Sequence, residues 1–182
     1  MARKKLTETL ELALVVEPNL DIVTDNMVSE WGAVPYPQLS VLLVHLKFLA
    51  QLHQNHHWTC KGEPFYGDHQ LFSRLYEVVV SEVDSVAEKS VGLGSIANVD
   101  LGLQTSQLLR LVQGSGSSGT IPVASELARR SYVAEMSFLK VCDRLVVSLQ
   151  EMGQLTRGLD NLIAGIQDAH EGHVYLLKQR IT

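Results

Sequence analysis

Apolar residues recur at three- and four-residue steps along most of the chain, which is the spacing that places them on one face of an α-helix. A first long segment begins at Pro37, because proline is favoured in the first turn of a helix. Its apolar stripe runs into two histidines and consists of Leu39, Leu42, Leu46, Leu49, His53 and His57. The sequence Lys61-Gly62-Glu63-Pro64 then breaks the pattern, so we expect the helix to end before it.

Three further long helices are predicted downstream, over roughly Tyr66–Gly92, Val123–Met152 and Leu155–Ile181, the last two separated near Gly153. The apolar positions of the second and fourth helices are Val79, Val83 and Val86, and Leu159, Leu162, Ile163, Ile166, Val174 and Leu177. The run Val78–Val80 suits a strand as well, but its neighbours keep the helical period. Because no segment alternates apolar and polar residues for long, we predict no sheet.

A long connection separates the second and third long helices. It holds a short apolar patch around Leu108–Val112 and the flexible sequence Gly114–Gly119. Four long helices with such a connection predict an all-α, ferritin-like four-helix bundle whose crossover carries a short helix. We therefore divide the chain into an N-terminal extension, residues 1–36, with a short helix at Leu6–Val16 ended by Pro18, and a bundle, residues 37–182.

Composition and charge narrow the class of protein. The chain has 182 residues, 46% of them apolar, so it is long enough to bury one substantial core. No apolar run is long enough to span a membrane, and we identify no secretory signal. Only Cys60 and Cys142 are present, and although they can pair, two cysteines in such a chain are typical of reduced thiols. These features predict a cytoplasmic protein without a membrane partner.

The net charge of −5 argues against attraction of the whole surface to DNA. The one obvious basic cluster is the N-terminal Arg3, Lys4 and Lys5, which is also compatible with a solvated terminus. DNA binding is therefore expected to be weak.

Potential metal ligands are concentrated in the first two long helices. Five of the seven histidines lie there: His45, His53, His56, His57 and His69. Asp84 and Glu88 follow as an i, i+4 pair on one helix face. Imidazole and carboxylate groups suit iron, manganese or zinc. The polar stripe to which both acids belong is equally compatible with a solvated helix face on spacing alone; its members are Glu77, Ser81, Asp84 and Glu88.

The chain contains no Glu-x-x-His pair, the motif that the within-bundle di-iron site of ferritin-like proteins takes from two of its helices. The nearest cluster in the last helix is Asp168, His170, Glu171 and His173, in which Glu171 and His173 are two residues apart and point to different faces. If the chain handles iron, its site is therefore not expected to be of the within-bundle kind, and ligands from two subunits would be a natural way to complete it.

The stretch from His57 to Gly94 resembles the signature of the Dps family of mini-ferritins. The resemblance rests on His57-Trp58, Lys61-Gly62, Phe65, His69, Asp84-x-x-x-Glu88-Lys89 and Leu93-Gly94. It implies a shell of twelve identical subunits with ferroxidase centres at two-fold interfaces. In that pattern one subunit supplies His57 and His69 and its neighbour supplies Asp84 and Glu88. Iron(II) is bound, oxidised by hydrogen peroxide or oxygen, and stored as a ferric mineral, which protects against oxidative stress. Trp58 matches a tryptophan close to the centre.

One position departs from the family pattern. An acidic ligand usually stands four residues after the second histidine, and this chain has Ser73 there. Two outcomes stay open. Iron still binds at a mono-iron or di-iron centre through the four matched residues, with water or with help from Asp68, Glu77 or His56. Alternatively, the site prefers zinc or is too weak for oxidation, and the chain is a shell-forming or nucleoid-associated protein with a weakened or structural metal site.

Overall fold

The computed structural model describes residues 20–115 and 124–182, and within these ranges the chain is helical with no strand. The helices are α1 (Leu20–Glu30), α2 (Pro37–Thr59), α3 (Phe65–Leu93), α4 (Leu101–Gly114), α5 (Ala124–Glu151) and α6 (Arg157–Ile181), with a 3₁₀ segment at Ile96–Val99. The long helices α2, α3, α5 and α6 form the bundle, and α4 lies in the crossover. The predicted all-α bundle with a short crossover helix is therefore confirmed.

Helix α2 is the central element of the bundle. Its first ten residues, Pro37 to Leu46, are all buried, because α1, α3, α4 and α5 pack around them. Tyr36 precedes the helix in a left-handed conformation, with φ of 54°, and Pro37 then sets the first turn. A helix that is covered on all sides has to be apolar on all sides, which explains the dense leucine and valine content here.

Two antiparallel helix pairs build the bundle, α2 with α3 and α5 with α6. The turn of each pair contains a glycine with positive φ, Gly62 at 87° and Gly153 at 64°. Residues with a Cβ rarely adopt this conformation, so the two glycines let the chain reverse direction. Thr156 then caps α6 by accepting a hydrogen bond from the Leu159 amide at 3.2 Å.

The crossover is tied to the start of α2 by the buried side chain of Asn98. Its amide nitrogen donates to the Pro35 carbonyl at 2.6 Å and to Ser40 Oγ at 3.2 Å, and its oxygen accepts from the Ser95 amide at 2.9 Å. Helix α4 is longer than the apolar patch Leu108–Val112 indicates, because the Asp100 carboxylate caps its first turn.

The segment before α2 contributes to the core. Trp31 is 3% exposed, and its indole nitrogen donates to Gln107 Oε1 of α4 at 3.1 Å. Asp25 pairs with Arg144 of α5 at 2.7 Å. Helix α1 itself was not predicted, whereas the predicted helix at Leu6–Val16 lies outside the described residues. The boundary at residue 37 stays a prediction.

Of the predicted Gly114–Gly119 connection, Gly114 ends α4 and residues 116–119 lie outside the described ranges. None of the helices described is long and apolar enough to cross a membrane.

A polar layer divides the core of the bundle into two apolar clusters. The larger cluster contains Leu49, Phe138 and Ile166, and the smaller one contains Cys60, Phe72, Leu75, Leu127, Ala128 and Leu177. The helix positions between the two clusters carry the buried side chains of His53, Ser131, Glu135, His170 and His173. Buried polar groups lower the stability of a fold unless they are hydrogen-bonded. The hydrogen bonds within this layer therefore determine how much stability it costs.

Candidate metal sites

His57 and His69 are brought together where α2 ends and α3 begins. Their rings are stacked, with centroids 3.8 Å apart and planes inclined by 21°. His57 Nδ1 donates to the His69 carbonyl oxygen at 3.0 Å, and His69 Nδ1 donates to the His57 carbonyl oxygen at 3.0 Å. The two residues therefore hold each other in place through both their rings and their backbones.

This reciprocal bonding fixes the tautomer of each ring. A carbonyl oxygen only accepts hydrogen bonds, so both Nδ1 atoms carry the proton and both Nε2 atoms keep a free lone pair in the neutral ring. A metal-ligating histidine typically donates its other ring N–H to a carbonyl or carboxylate in this way. The pair therefore offers two prepared imidazole ligands.

Asp84 and Glu88 lie too far along α3 to join these histidines within one chain. At a rise of 1.5 Å per residue, the fifteen residues from His69 to Asp84 span about 22 Å. Both carboxylates are exposed, and neither makes an ion pair or hydrogen bond within the described parts of the chain. One chain therefore holds the predicted histidines and the predicted carboxylates in two separate groups.

The hydroxyl of Ser73 donates to Glu77 Oε1 at 2.9 Å, one turn further along α3. Two of the three side chains expected to assist the site are engaged elsewhere. Asp68 is 1% exposed and pairs with Arg180 at 2.5 Å, and the buried His56 bonds Ser131 at 2.8 Å. Glu77 is the third, and it lies eight residues beyond His69, about 12 Å along α3, with its carboxylate bonded to Ser73.

Exposed aromatic side chains surround the histidine pair. Trp58 is 67% exposed, Tyr66 is 76% exposed and Phe65 is 46% exposed. Phe65 stacks on His69 with a centroid distance of 5.1 Å. Large aromatic residues left in water beside a polar site are typical of a surface that is covered in an assembly.

A second group of possible metal ligands lies in the polar layer inside the bundle. Glu135 is fully buried, and its Oε1 accepts from His53 Nε2 at 2.7 Å and from His173 Nδ1 at 3.2 Å. Its Oε2 accepts a short hydrogen bond from His170 Nδ1. The other ring nitrogen of His170, Nε2, contacts Glu82 Oε2 at 2.9 Å. All four bundle helices thus contribute to one cluster of three imidazoles and two carboxylates.

The charges of this cluster are set by its hydrogen bonds. Burial alone would raise the pKa of Glu135, but the bonds from His170, His173 and His53 outweigh it and hold that pKa well below its ordinary value. Burial also acts to lower the pKa of His170, yet the bonds to Glu135 and Glu82 raise it to about 9. His170 is therefore a buried imidazolium between two carboxylates.

A chain of hydrogen bonds orients His53 from behind. Burial lowers the pKa of His53 and is the main cause that lowers the pKa of His56 to about 3, so both rings are neutral. His53 uses its Nε2 proton for Glu135, so its Nδ1 accepts from Ser131 at 3.2 Å. Ser131 has a single proton, so it accepts in turn from His56 Nδ1.

This cluster was not predicted, although His170 and His173 were considered, because the chain contains no Glu-x-x-His pair. The available signal was His170-x-x-His173, since residues three apart share a helix face, and both side chains are buried. His53 lies on the predicted apolar stripe of α2 because its side chain is also buried. Glu135, from a helix with no histidine, carried no signal of its own in the sequence.

No protein-family model matches the chain. The chain is 25% identical over 126 residues to DNA protection during starvation protein 2 of Bacillus anthracis, an alignment that covers 68% of this chain and 80% of that protein. Its fold superposes on Dps from Thermosynechococcus elongatus with a TM-score of 0.69 at 16% identity, covering 88% of this chain and 95% of the other. DpsC from Streptomyces coelicolor gives 0.68 at 19% identity, covering 81% and 83%.

The arrangement of four long helices with a helix in the crossover is a ferritin-like bundle, as in both superposed structures. Together with the sequence relative, the superpositions show that this chain is similar to Dps proteins in sequence and in fold.

Proposed function

We propose that this chain is a mini-ferritin subunit that binds and oxidises iron(II) at sites shared between two subunits and stores ferric mineral in a hollow dodecamer. The paired His57 and His69 carry the proposal, because their Nε2 lone pairs are prepared for a metal ion while no carboxylate among the described residues groups with them. The likeness to Dps proteins supports the same arrangement.

A neighbouring subunit is the natural source of the missing ligands. Asp84 and Glu88 are exposed on one face of α3, about 22 and about 28 Å along the helix from His69 of their own chain. The exposed Trp58, Phe65 and Tyr66 supply apolar area for the contact that brings the two groups together. Such a contact made twice about a two-fold axis creates two equivalent sites.

In the proposed reaction iron(II) is the substrate. Each ferrous ion gives up one electron, and a hydrogen peroxide molecule accepts two, so two ferrous ions are oxidised per peroxide. Hydrolysis of the ferric product forms the mineral and releases protons. Carboxylates favour the ferric product because it carries the higher charge. Ser73 removes one such charge, so we expect slower oxidation than at a site with the full acidic set.

The test follows iron(II) oxidation by absorbance after addition of hydrogen peroxide or oxygen. We expect His57→Ala and Glu88→Ala each to lower the initial rate at least about tenfold, as loss of a metal ligand typically does. Glu151→Ala, a change at an exposed carboxylate of α5, is the matched control and keeps the wild-type rate. Equal rates in all four proteins would refute the ferroxidase proposal.

Ser73 favours a second candidate, a shell-forming or nucleoid-associated protein whose metal site is weakened or structural. Ser73→Asp separates the two functions, with Ser106→Asp, a change at an exposed serine of α4, as its control. If the wild type oxidises iron no faster than buffer and only Ser73→Asp is active, the second candidate is correct. Light scattering tests the shell itself, since a monomer contradicts both.

The name of the Bacillus anthracis relative refers to DNA protection, and we expect this chain to bind DNA weakly at most. Its basic N-terminal cluster is limited to Arg3, Lys4 and Lys5, and its net charge is −5. Multivalent display on a shell strengthens such attraction only at low salt. A gel shift of duplex DNA at physiological salt should show little binding, and a clear shift there contradicts this expectation.

A further inference from the structure

We propose that the polar layer inside the bundle is a second metal site, which holds one divalent first-row transition-metal ion through Glu135, His170 and His173 with His53 and Glu82 beside it. This within-bundle site is separate from the groups at His57 and Asp84 and is complete in one chain. It goes beyond the proposed ferroxidase function and does not depend on it.

The ligand geometry is the first argument. One donor atom from each of Glu135, His170 and His173 lies within 4.8 Å of the other two, and all three residues are buried. Glu135 Oε1 is already 3.2 Å from His173 Nδ1 and 2.7 Å from His53 Nε2. A tetrahedral ion with bonds of about 2.0–2.1 Å holds its ligands about 3.3 Å apart, so small side-chain movements suffice.

The second argument is charge. Glu135 and Glu82 bring two negative charges into the bundle, and the imidazolium of His170 between them balances only one of the two. A divalent cation that takes the place of one His170 proton neutralises both carboxylates and leaves His170 a neutral ligand. Imidazole and carboxylate ligands together suit zinc, iron(II) or manganese, whereas magnesium and calcium prefer oxygen ligands alone.

The third argument is the shell of contacts that holds the ligands. Ser131 and His56 orient His53, as shown by their hydrogen bonds at 3.2 and 2.8 Å. The ring of Phe138 packs against His170 with centroids 4.4 Å apart. Outer contacts of this kind fix the direction of a ligand and are typical of metal sites in proteins.

The test uses zinc as the probe in the assembled protein. The background variant carries His57→Ala and Glu88→Ala, which remove the proposed intersubunit site. Zinc bound by this variant therefore reports on the within-bundle site alone, and the ferroxidase proposal is tested separately by iron oxidation. We expect this variant to bind one zinc ion per subunit, measured by elemental analysis after dialysis and by calorimetry. Addition of His173→Gln should weaken zinc binding at least about tenfold, because the amide preserves a hydrogen bond to Glu135 but is a poor ligand.

His45→Gln in the same background is the matched control. His45 is also a buried histidine of α2, but its Nδ1 bonds the Val41 carbonyl at 3.0 Å and it lies outside the cluster. It should leave zinc binding unchanged. If His173→Gln fails to fold, His170→Gln, a change at another of the three proposed ligands, replaces it.

X-ray absorption of the zinc-loaded background variant reads the ligands directly. At least two imidazoles at about 2.0–2.1 Å support the site. The proposal is overturned if the background variant binds no zinc, if His173→Gln and His45→Gln bind it equally, or if the spectrum contains no imidazole.

Discussion

Gly94 ends α3 at the point where the chain turns into the crossover, and it is the position at which an added methyl group meets the most backbone. A Cβ built there lies 2.7 Å from the Ser90 carbonyl oxygen and 2.8 Å from the Pro35 carbonyl oxygen, and it also collides with the Asn98 side chain. Real Cβ atoms essentially never approach so closely, so Gly94→Ala forces the backbone or Asn98 to move.

The cost follows from what has to give way. The two carbonyl groups belong to the end of α3 and to the residue before Tyr36, so neither rotates out of the way as a side chain would. Asn98 is fully buried and joins the Pro35 carbonyl, Ser40 and the Ser95 amide, so its displacement loses hydrogen bonds worth about 1 kcal/mol each. Overpacking adds to this, and we expect Gly94→Ala to lower the free energy of unfolding by about 2–4 kcal/mol.

Gly92→Ala, two residues earlier in α3, is the control, because a Cβ there meets nothing within 4 Å. It should be neutral or stabilising by up to about 1 kcal/mol, since alanine favours helix. The assay is thermal unfolding at one fixed protein concentration, followed by circular dichroism. For a chain of this size the loss at Gly94 corresponds to a fall in Tm of roughly 4–16 °C. Equal Tm values for the two variants would refute the steric argument.

Three further predictions concern other parts of the molecule. Asp68→Asn should lower the free energy of unfolding by about 1.5–3 kcal/mol, because it breaks the ion pair between the buried Asp68 carboxylate and Arg180. Urea unfolding measures this loss, and a loss under about 0.5 kcal/mol contradicts the prediction. Burial raises the pKa of the Cys142 thiol, so a disulfide reagent should label it slowly until urea is added, and fast labelling of the native protein contradicts this. Iron(II) should quench the exposed Trp58 more than the buried Trp31, so Trp58→Phe should remove most of the quenching and Trp31→Phe little.

The long helices were predictable because each has to bury one apolar face, and burial imposes the helical period on the sequence. The turns at Gly62 and Gly153 interrupt that period with residues suited to positive φ. Helix α1 was missed for the opposite reason. Its sequence is mixed, and its place in the fold depends on distant partners such as Arg144 and Gln107. Such contacts join residues that lie far apart in the chain.

The two candidate sites likewise differ in how far the sequence predicts them. His57 and His69 meet because the turn between α2 and α3 is short, so their spacing along the chain carried the information. The within-bundle cluster depends on Glu135, which accepts from histidines 82, 35 and 38 residues away. Only the packing of four helices brings such residues together. A single buried glutamate does not alter the apolar pattern of its helix, so the sequence does not reveal the cluster.

The two proposed metal sites differ in what completes them, and this gives each a different dependence on assembly. In the proposed site at His57 and His69 a second chain supplies Asp84 and Glu88, so we expect iron oxidation to require the subunit interface. The within-bundle site around Glu135 has all its ligands in one chain and is screened from water by the two apolar clusters on either side. Separating the subunits without unfolding them would therefore abolish oxidation while leaving the within-bundle site able to bind its cation.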